Sequence, residues 1–443
     1  MRAAELQGKK VVIWGMGREG RAAADFIHTI QSDAKISFVD ENANAEIVDG
    51  YPATRGKIEA ALDSADTIIK SPGVSLYHPL IAKLKSKGTP ITSLLNLWFT
   101  QPRKAKTIGI TGTKGKSTTT ALLAHVLKAL GKKATAVGNI GVPVIEADGN
   151  ALDYVAIEVS SYQAADFSGA CDIGILTSLY PEHLDWHKSA DAYFRDKLNL
   201  LVHSKIKIIN AEATHTAQEN IPGADLILFN DPEYFYERNG IIYERDHPIG
   251  EIKNRHLARH HNLVNICAVL TAIRQLGLDP VAALRAMENF EGLPHRQQEL
   301  GEKNGVLFVD DSISTTPYSA IAAMEAYADR PITLIAGGYD RGVDYAPLTD
   351  YILGKKIHAV VCIGAVGKRI FEALQKGRAA NIQSAATFKE AVEWAKIHTP
   401  REGVVLLSPA APSYDMFRDF IERGMKFAAY VDEITDSSSG GHA

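Results

Sequence analysis

Residues suited to handling phosphate gather in one short run, Thr111-Gly-Thr-Lys-Gly-Lys-Ser-Thr118. Glycines 112 and 115 let the backbone turn around anionic oxygens, Lys116 can reach the β and γ oxygens of a nucleotide, and Ser117 offers a hydroxyl to Mg2+. The spacing departs from the usual phosphate loop, which has a glycine five residues before Gly115, where this chain has Ile110. Glu158 closes the apolar run Tyr154-Val-Ala-Ile-Glu158, where a carboxylate can hold Mg2+ directly or through water. Each feature also has a plain reading: a glycine turn with an exposed lysine, and a solvated acid at a strand end. His183 and His187 are four apart, as zinc on a helix face would require, but Pro181 predicts a turn and no further ligand completes the set. Lys197, amid apolar neighbours in 192–201, reads on the residues alone as a lysine that snorkels to the surface. Asn262 and Asn265 share a helix face and suit either a purine or a cap.

A second glycine turn, Gly15-Met-Gly17-Arg-Glu-Gly20, follows the strand-like Lys9–Trp14, and Asp40 ends the next strand. This pattern suits a nucleotide-like diphosphate on the turn and a ribose hydroxyl on the acid, without singling out NAD. Ser71, in the turn after Thr67–Lys70, sits where such folds collect ligands. Gly138-Asn-Ile-Gly141 presents Asn139, and Glu158 leads into Ser160, Ser161 and Gln163.

These turns need sheets to carry them. The 443 residues exceed what one core usually serves, so two or three domains are expected, with linkers at 101–106 and 291–296. Apolar runs at 306–310, 332–336, 359–363 and 404–407 predict a third α/β sheet, its polar turns 310–317, 337–342 and 408–413 forming a ligand rim. Residues 233–253 read as a hairpin turning at Asn239-Gly240, and 436–443 as a disordered tail. A net charge of −4 argues against a general nucleic-acid binder. Three scattered cysteines suit a reducing compartment, and neither a signal peptide nor a membrane span is evident, so a cytoplasmic enzyme is expected.

With Thr111–Thr118, Gly138–Gly141, Glu158-Val-Ser-Ser161, Glu182-His183, His261-Asn262, Leu293-Pro-His-Arg296 and Ser408-Pro-Ala410 together, the chain resembles the Mur ligases from about residue 8 to 430. Among them it is most similar to the member that adds glutamate to UDP-N-acetylmuramoyl-L-alanine in peptidoglycan synthesis. The resemblance implies an α/β protein of three domains: a Rossmann-like UDP-substrate domain (1–102), a P-loop ATPase domain (103–293) and a Rossmann-like glutamate domain (294–443). It implies ATP on Gly112, Thr113, Lys114, Gly115, Lys116, Ser117, Thr118, Asn265, Arg296 and Asp311. Two Mg2+ ions would use Ser117, Glu158, His183 and a carbamylated Lys197; Lys116, His183 and Lys197 would be catalytic. The muramoyl nucleotide would meet Gly15, Met16, Asp40, Ser71, Asn139, Ser160, Gln163 and His183, and glutamate would meet Thr315, Arg341, Ser413 and Phe420. A monomer is expected, with small-molecule substrates, no nucleic acid and no membrane insertion.

Two departures bear on the amino acid. The family commonly has Asp-Ser-Lys-Ala-Thr-Asn where this chain reads Asp311-Ser-Ile313-Ser-Thr-Thr316, and a lysine where Arg341 stands. The resemblance favours D-glutamate; with the cations rearranged, L-glutamate is the alternative. An NAD-dependent oxidoreductase ranks lower because it leaves Lys116 and Ser117 without a task, and a non-catalytic nucleotide-binding protein because it needs none of Glu158, His183 and Lys197.

Overall fold

The computed structural model describes residues 3–41, 47–254, 256–355 and 357–436, so most of the expected tail, 437–443, lies outside the described residues. The chain forms two compact units, Met1–Phe290 and Glu291–Ala443.

The first unit holds two six-stranded sheets. In the N-terminal sheet, Lys10–Trp14 runs parallel between Lys35–Asp40 and Thr67–Lys70. Val11 to Trp14 are all buried, which is why this strand is apolar at successive positions rather than alternating. The second sheet is parallel throughout, in the order Leu226–Phe229, Ser204–Asn210, Cys171–Leu176, Lys106–Thr111, Tyr154–Glu158, Ala134–Gly138. Parallel pairing brings the turns after Thr111, Gly138, Glu158 and Leu176 to one sheet edge, where ligands of such sheets bind. On one face, Leu122, Leu123 and Val126 of helix Lys116–Ala129 pack with Ile266, Leu270 and Ile273 of helix His260–Gln275.

The opposite face is shared with the N-terminal sheet. Leu97 and Phe99 of helix Leu94–Phe99 join Ile27, Val137 and Phe167 in one apolar cluster. The stretch expected as a linker at 101–106 is therefore pinned: Arg103 donates to the Phe99 carbonyl (2.8 Å) and lies over the Trp98 and Phe99 rings. The expected hairpin is a three-stranded antiparallel sheet, Phe235–Arg238, Ile241–Glu244 and His247–Glu251. Asn239 and Gly240 both take positive φ (54° and 80°), which gives the two-residue turn the twist a hairpin needs.

The second unit is one sheet in the order Gln298–Lys303, Val306–Asp310, Val404–Leu407, Ile332–Gly337, Ala359–Ile363, Ile382–Ser384. All neighbours are parallel except the first pair. The four expected strands form its buried centre. The two edge strands escaped the apolar criterion because Gln-Glu-Leu-Gly-Glu-Lys and Ile-Gln-Ser face water.

Gly20 holds the N-terminal turn against its helix, since a Cβ there would lie 2.1 Å from the Gly15 carbonyl oxygen. Gly20→Ala is expected to destabilise the protein by about 1–3 kcal/mol, as overpacking does. Urea unfolding measures this, and a wild-type midpoint would contradict it.

Candidate active site

The loop after Lys106–Thr111 is shaped by glycines at two close approaches. Gly112 has φ +149°, and a Cβ there would sit 1.9 Å from Thr177 Oγ1. Gly115 has φ +86°, and its Cβ would lie 2.4 Å from Asn265 Oδ1. The missing third glycine has a simple cause: Ile110 is still inside the strand and fully buried, so the loop starts at Gly112. The neighbouring strand end pins the loop, a role absent from the sequence reading. Thr177 Oγ1 donates to the Lys114 carbonyl (2.6 Å), Thr113 N donates to the Ser178 carbonyl (2.9 Å), and Lys114 N donates to Ser178 Oγ (2.8 Å). Thr118 is half-buried in the first turn of the helix.

Both candidate lysines converge on one oxygen. Lys116 Nζ donates to the carbonyls of Gly112 (2.9 Å) and Thr113 (3.0 Å), and Lys197 Nζ donates to the same Gly112 carbonyl (2.8 Å). The snorkelling expected of Lys197 from its residues alone is overturned: the side chain is 1% exposed and its ammonium lies over the Tyr193 ring. Tyr193, Lys197 and Leu201 are spaced four apart on helix Ala190–Val202, so the lysine sits on the buried stripe. Burial, then the charge of Lys116, hold the Lys197 pKa well below the ordinary lysine value.

Across from these cations, Glu158 is 1% exposed. Its Oε1 accepts from Asn139 Nδ2 (2.9 Å), while Oε2 is buried without a hydrogen-bond partner. An unpartnered buried carboxylate oxygen suits a hard cation. Among the described residues no group of three or more His, Cys, Asp or Glu side chains converges. Mg2+ takes few protein carboxylates and completes its shell with phosphate and water. Ser117 is buried in the first helical turn, within the same loop. His183 is half-exposed at φ +56°, its ring 5.2 Å from that of Tyr162, and burial lowers its pKa. Lys114 pairs with Glu182 (2.8 Å) instead of turning into the loop.

His187 belongs to a different arrangement, unforeseen in the sequence. Fully buried, its Nδ1 lies 2.7 Å from Asp196 Oδ2 and its Nε2 lies 3.0 Å from Ser161 Oγ. Tyr77 donates to the same Asp196 (3.0 Å), and Ser75 Oγ donates to the Trp186 carbonyl (2.9 Å). The turn carrying His183 is thus tied to Ser161, Asp196 and Ser75.

On the nucleotide side, Ser71 Oγ donates to the Gly15 carbonyl (3.3 Å) and Met16 N donates to Asp40 Oδ2 (3.2 Å). Ser160 and Gln163 cap helix Ser161–Ala165 reciprocally, and Gln163 Nε2 donates to Glu19. Gln163 is therefore a buried relay between two stretches. Asn265 Nδ2 donates to Asn262 Oδ1 (3.2 Å) and Asn262 Nδ2 to the His256 carbonyl (2.7 Å), so Asn262 acts locally while Asn265 reaches the loop.

In the second unit Asp311 accepts from Ser314, Ser408 (2.7 Å) and the Gln297 amide (3.1 Å), and burial pushes its pKa up to about 6. Arg296 has a buried Nε without a partner. Arg341 is exposed and stacks on Tyr414 (5.6 Å); Thr315 and Phe420 are half-buried, and Ser413 is buried. Arg423 was missed by the sequence reading. Fully buried, it donates to Ser312 Oγ (3.0 Å), the Ser312 carbonyl (2.7 Å) and the Ala411 carbonyl (3.1 Å), clamping two of the three rim turns.

The family models for the Mur ligase MurD-like N-terminal domain, the Mur ligase middle domain and the Mur ligase glutamate ligase domain match residues 9–93, 110–273 and 295–411. The chain belongs to the Mur ligase family. Proteins named UDP-N-acetylmuramoyl-L-alanine–L-glutamate ligase are similar along its length. One from Micromonospora sp. is 36% identical over 97% of this chain and 98% of its own; one from Xanthomonas campestris is 38% identical over 97% and 96%. The fold is shared with a UDP-N-acetylmuramate–alanine ligase from Thermotoga maritima (TM-score 0.62, 21% identity, covering 96% of this chain and 99% of that one). It is also shared with a UDP-N-acetylmuramoylalanyl-D-glutamyl-2,6-diaminopimelate–D-alanyl-D-alanyl ligase from Acinetobacter baumannii (TM-score 0.59, 14% identity, covering 97% and 92%). As a Mur ligase, the chain is an ATP-dependent, ADP-forming amide ligase. That sets aside both the oxidoreductase and the non-catalytic reading. Among the described residues, no helix of this Mur ligase is long and apolar enough to cross a membrane.

The Lys116 ammonium donates to the loop carbonyls of Gly112 and Thr113. Lys116→Ala is therefore expected to keep the fold, judged by circular dichroism, and to lose about 10²-fold or more in ATP-dependent turnover, the loss typical of one transition-state contact. Turnover near wild type would contradict this role.

Proposed function

We propose that this Mur ligase joins the amine of L-glutamate to the alanyl carboxylate of UDP-N-acetylmuramoyl-L-alanine. The convergence of Lys116 and Lys197 on the Gly112 carbonyl, opposite the unpartnered oxygen of Glu158, carries the reading. A carboxylate oxygen of the alanyl group attacks the γ-phosphorus of ATP, ADP leaves, and the acyl phosphate accepts the glutamate amine with loss of phosphate and a proton. No side-chain nucleophile is needed; the site must neutralise and align charge. Lys116 supplies the cation on the β and γ oxygens. Mg2+, when bound, supplies further neutralisation, and Ser117, Glu158, His183 and a carbamate on Lys197 would hold it.

The carbamate has a physical rationale. A buried amine that has given up its proton can add CO2, forming an N–C bond and releasing a proton. The product places an anion beside Lys116 in place of the amine, an oxygen ligand that Mg2+ prefers. Asn265, Arg296 and Asp311 are the further proposed ATP contacts. Gly15, Met16, Asp40, Ser71, Asn139, Ser160 and His183 would hold the muramoyl nucleotide, and Gln163 would position Ser160. The segments 1–102, 103–293 and 294–443 are read as the nucleotide-substrate, ATP and glutamate domains of a cytoplasmic monomer.

For the amino acid, Thr315, Arg341, Ser413 and Phe420 are the proposed contacts. The sequence reading placed D-glutamate first. The names of the relatives, together with Ile313 and Arg341 in place of lysines, favour the alternative. Arg341 offers a bidentate partner for a carboxylate where a lysine offers a point charge. Phosphate release from ATP with UDP-N-acetylmuramoyl-L-alanine and each glutamate enantiomer tests the reading. kcat/KM is expected to favour L by tenfold or more (about 1.4 kcal/mol). A tenfold preference for D would reverse the isomer, and no release with either would refute the ligation.

A further inference from the structure

A buried charge cluster in the first unit takes no part in the mechanism above, yet it joins the stretches assigned to the nucleotide substrate. Lys70, 1% exposed at the end of Thr67–Lys70, donates to the Val74 carbonyl (3.2 Å) and pairs with Asp166 Oδ2 (3.4 Å). The other Asp166 oxygen is buried with no partner. Glu19 lies in the first turn of helix Arg18–Ile30, directly after the Gly15–Gly17 turn, and accepts from Gln163 Nε2. Gln163 in turn accepts from Ser160 N (2.9 Å) and Ser160 Oγ (3.1 Å). From its own helix Arg18 reaches the Gly141 carbonyl (2.6 Å), beside Asn139. Helix Leu94–Phe99, which also packs on this helix, brings no ionisable side chain.

The charged groups that act on Glu19 are Lys70, Asp166 and Arg18, with Gln163 as its hydrogen-bond donor. The enclosed Lys70 ammonium pairs with the part-exposed Asp166 carboxyl and acts on the part-exposed Glu19 by charge alone, so one of the two carboxyls is favoured as the neutral acid near neutral pH. We propose that Glu19 is a positioning residue for the diphosphate end of the muramoyl nucleotide, coupling Gly15–Gly17 to Ser160 through Gln163, and that the substrate binds tightly only while its carboxyl is neutral. Ionised, Glu19 puts a negative charge in the same helical turn that must receive a dianionic diphosphate, and draws Gln163 and Lys70 toward itself. Burial, the largest influence, pushes the Glu19 pKa up to about 7, with Asp166 raising it and Lys70 lowering it. The neutral form therefore prevails below about pH 7 and is lost above it.

This inference rests on the assignment of Gly15, Met16, Ser71 and Ser160 to the nucleotide substrate. The test is calorimetric binding of UDP-N-acetylmuramoyl-L-alanine to the full chain from about pH 6 to about pH 8.5, a window in which this diphosphate diester does not titrate. Wild-type Kd should rise about fivefold across the window, the scale of one nearby charge. Glu19→Gln should keep the low-pH affinity throughout, and Asp166→Asn should move the midpoint to lower pH by removing a carboxylate that raises it. A wild-type Kd independent of pH, or a Glu19→Gln profile matching wild type, overturns the proposal. No binding by wild type at any pH would instead overturn the nucleotide assignment, and this inference with it. Thermal unfolding gives a check without ligand. A folded pKa above the unfolded one makes stability fall as pH rises between about 4.5 and 7, so the gap in Tm between Glu19→Gln and wild type should widen over that range. A constant gap also counts against the proposal.

Discussion

One backbone carbonyl organises the site. Gly112 O accepts from two lysine side-chain nitrogens, Lys116 from the loop's own helix and Lys197 from a helix eighty-five residues on in the chain. The arrangement requires Gly112 itself, because its positive φ disfavours any side chain and Thr177 fills the space a Cβ would need. It also requires Lys197 to be enclosed, which depends on the apolar stripe of Ala190–Val202 and on the Tyr193 ring. Tyr193 is fixed from the loop side, its hydroxyl 2.8 Å from Thr113 Oγ1. Loop, lysine and helix thus constrain one another.

The N-terminal sheet supports the same edge. Its turns reach the second sheet through Arg18 to Gly141, Tyr77 to Asp196 and Ser75 to Trp186, while the cluster around Phe99 and Phe167 removes apolar surface of both sheets from water. Burial of that area supplies the bulk of the attraction, and the polar ties fix register. In the glutamate-ligase unit Arg423 has the corresponding office, holding Ser312 and Ala411 so that the rim turns keep their spacing.

Much of this was legible from local pattern. The buried central strands are continuous apolar runs, the phosphate loop follows from glycine and lysine spacing, and the Asn239-Gly240 turn from its residue pair. Edge strands were hidden because they face water and carry polar residues. Lys197 and Arg423 were misjudged or missed because charge was taken to mean surface. Both nonetheless sit four residues from apolar neighbours on a buried stripe, Tyr193 and Leu201 for one and Phe427 for the other, and that periodicity was the available signal. The His187–Asp196–Ser161 ties and the Glu19–Gln163 relay left no such trace, since they pair side chains from different elements with no common period.

The charge relation between Lys116 and Lys197 is where the account is most exposed. If Lys197 carries a carbamate, the enzyme equilibrated with ¹³C-bicarbonate should show a carbamate carbon resonance that disappears in Lys197→Ala, and turnover should fall in CO2-depleted buffer and recover on adding bicarbonate. A wild-type enzyme without that resonance, fully active in the absence of CO2, would contradict it.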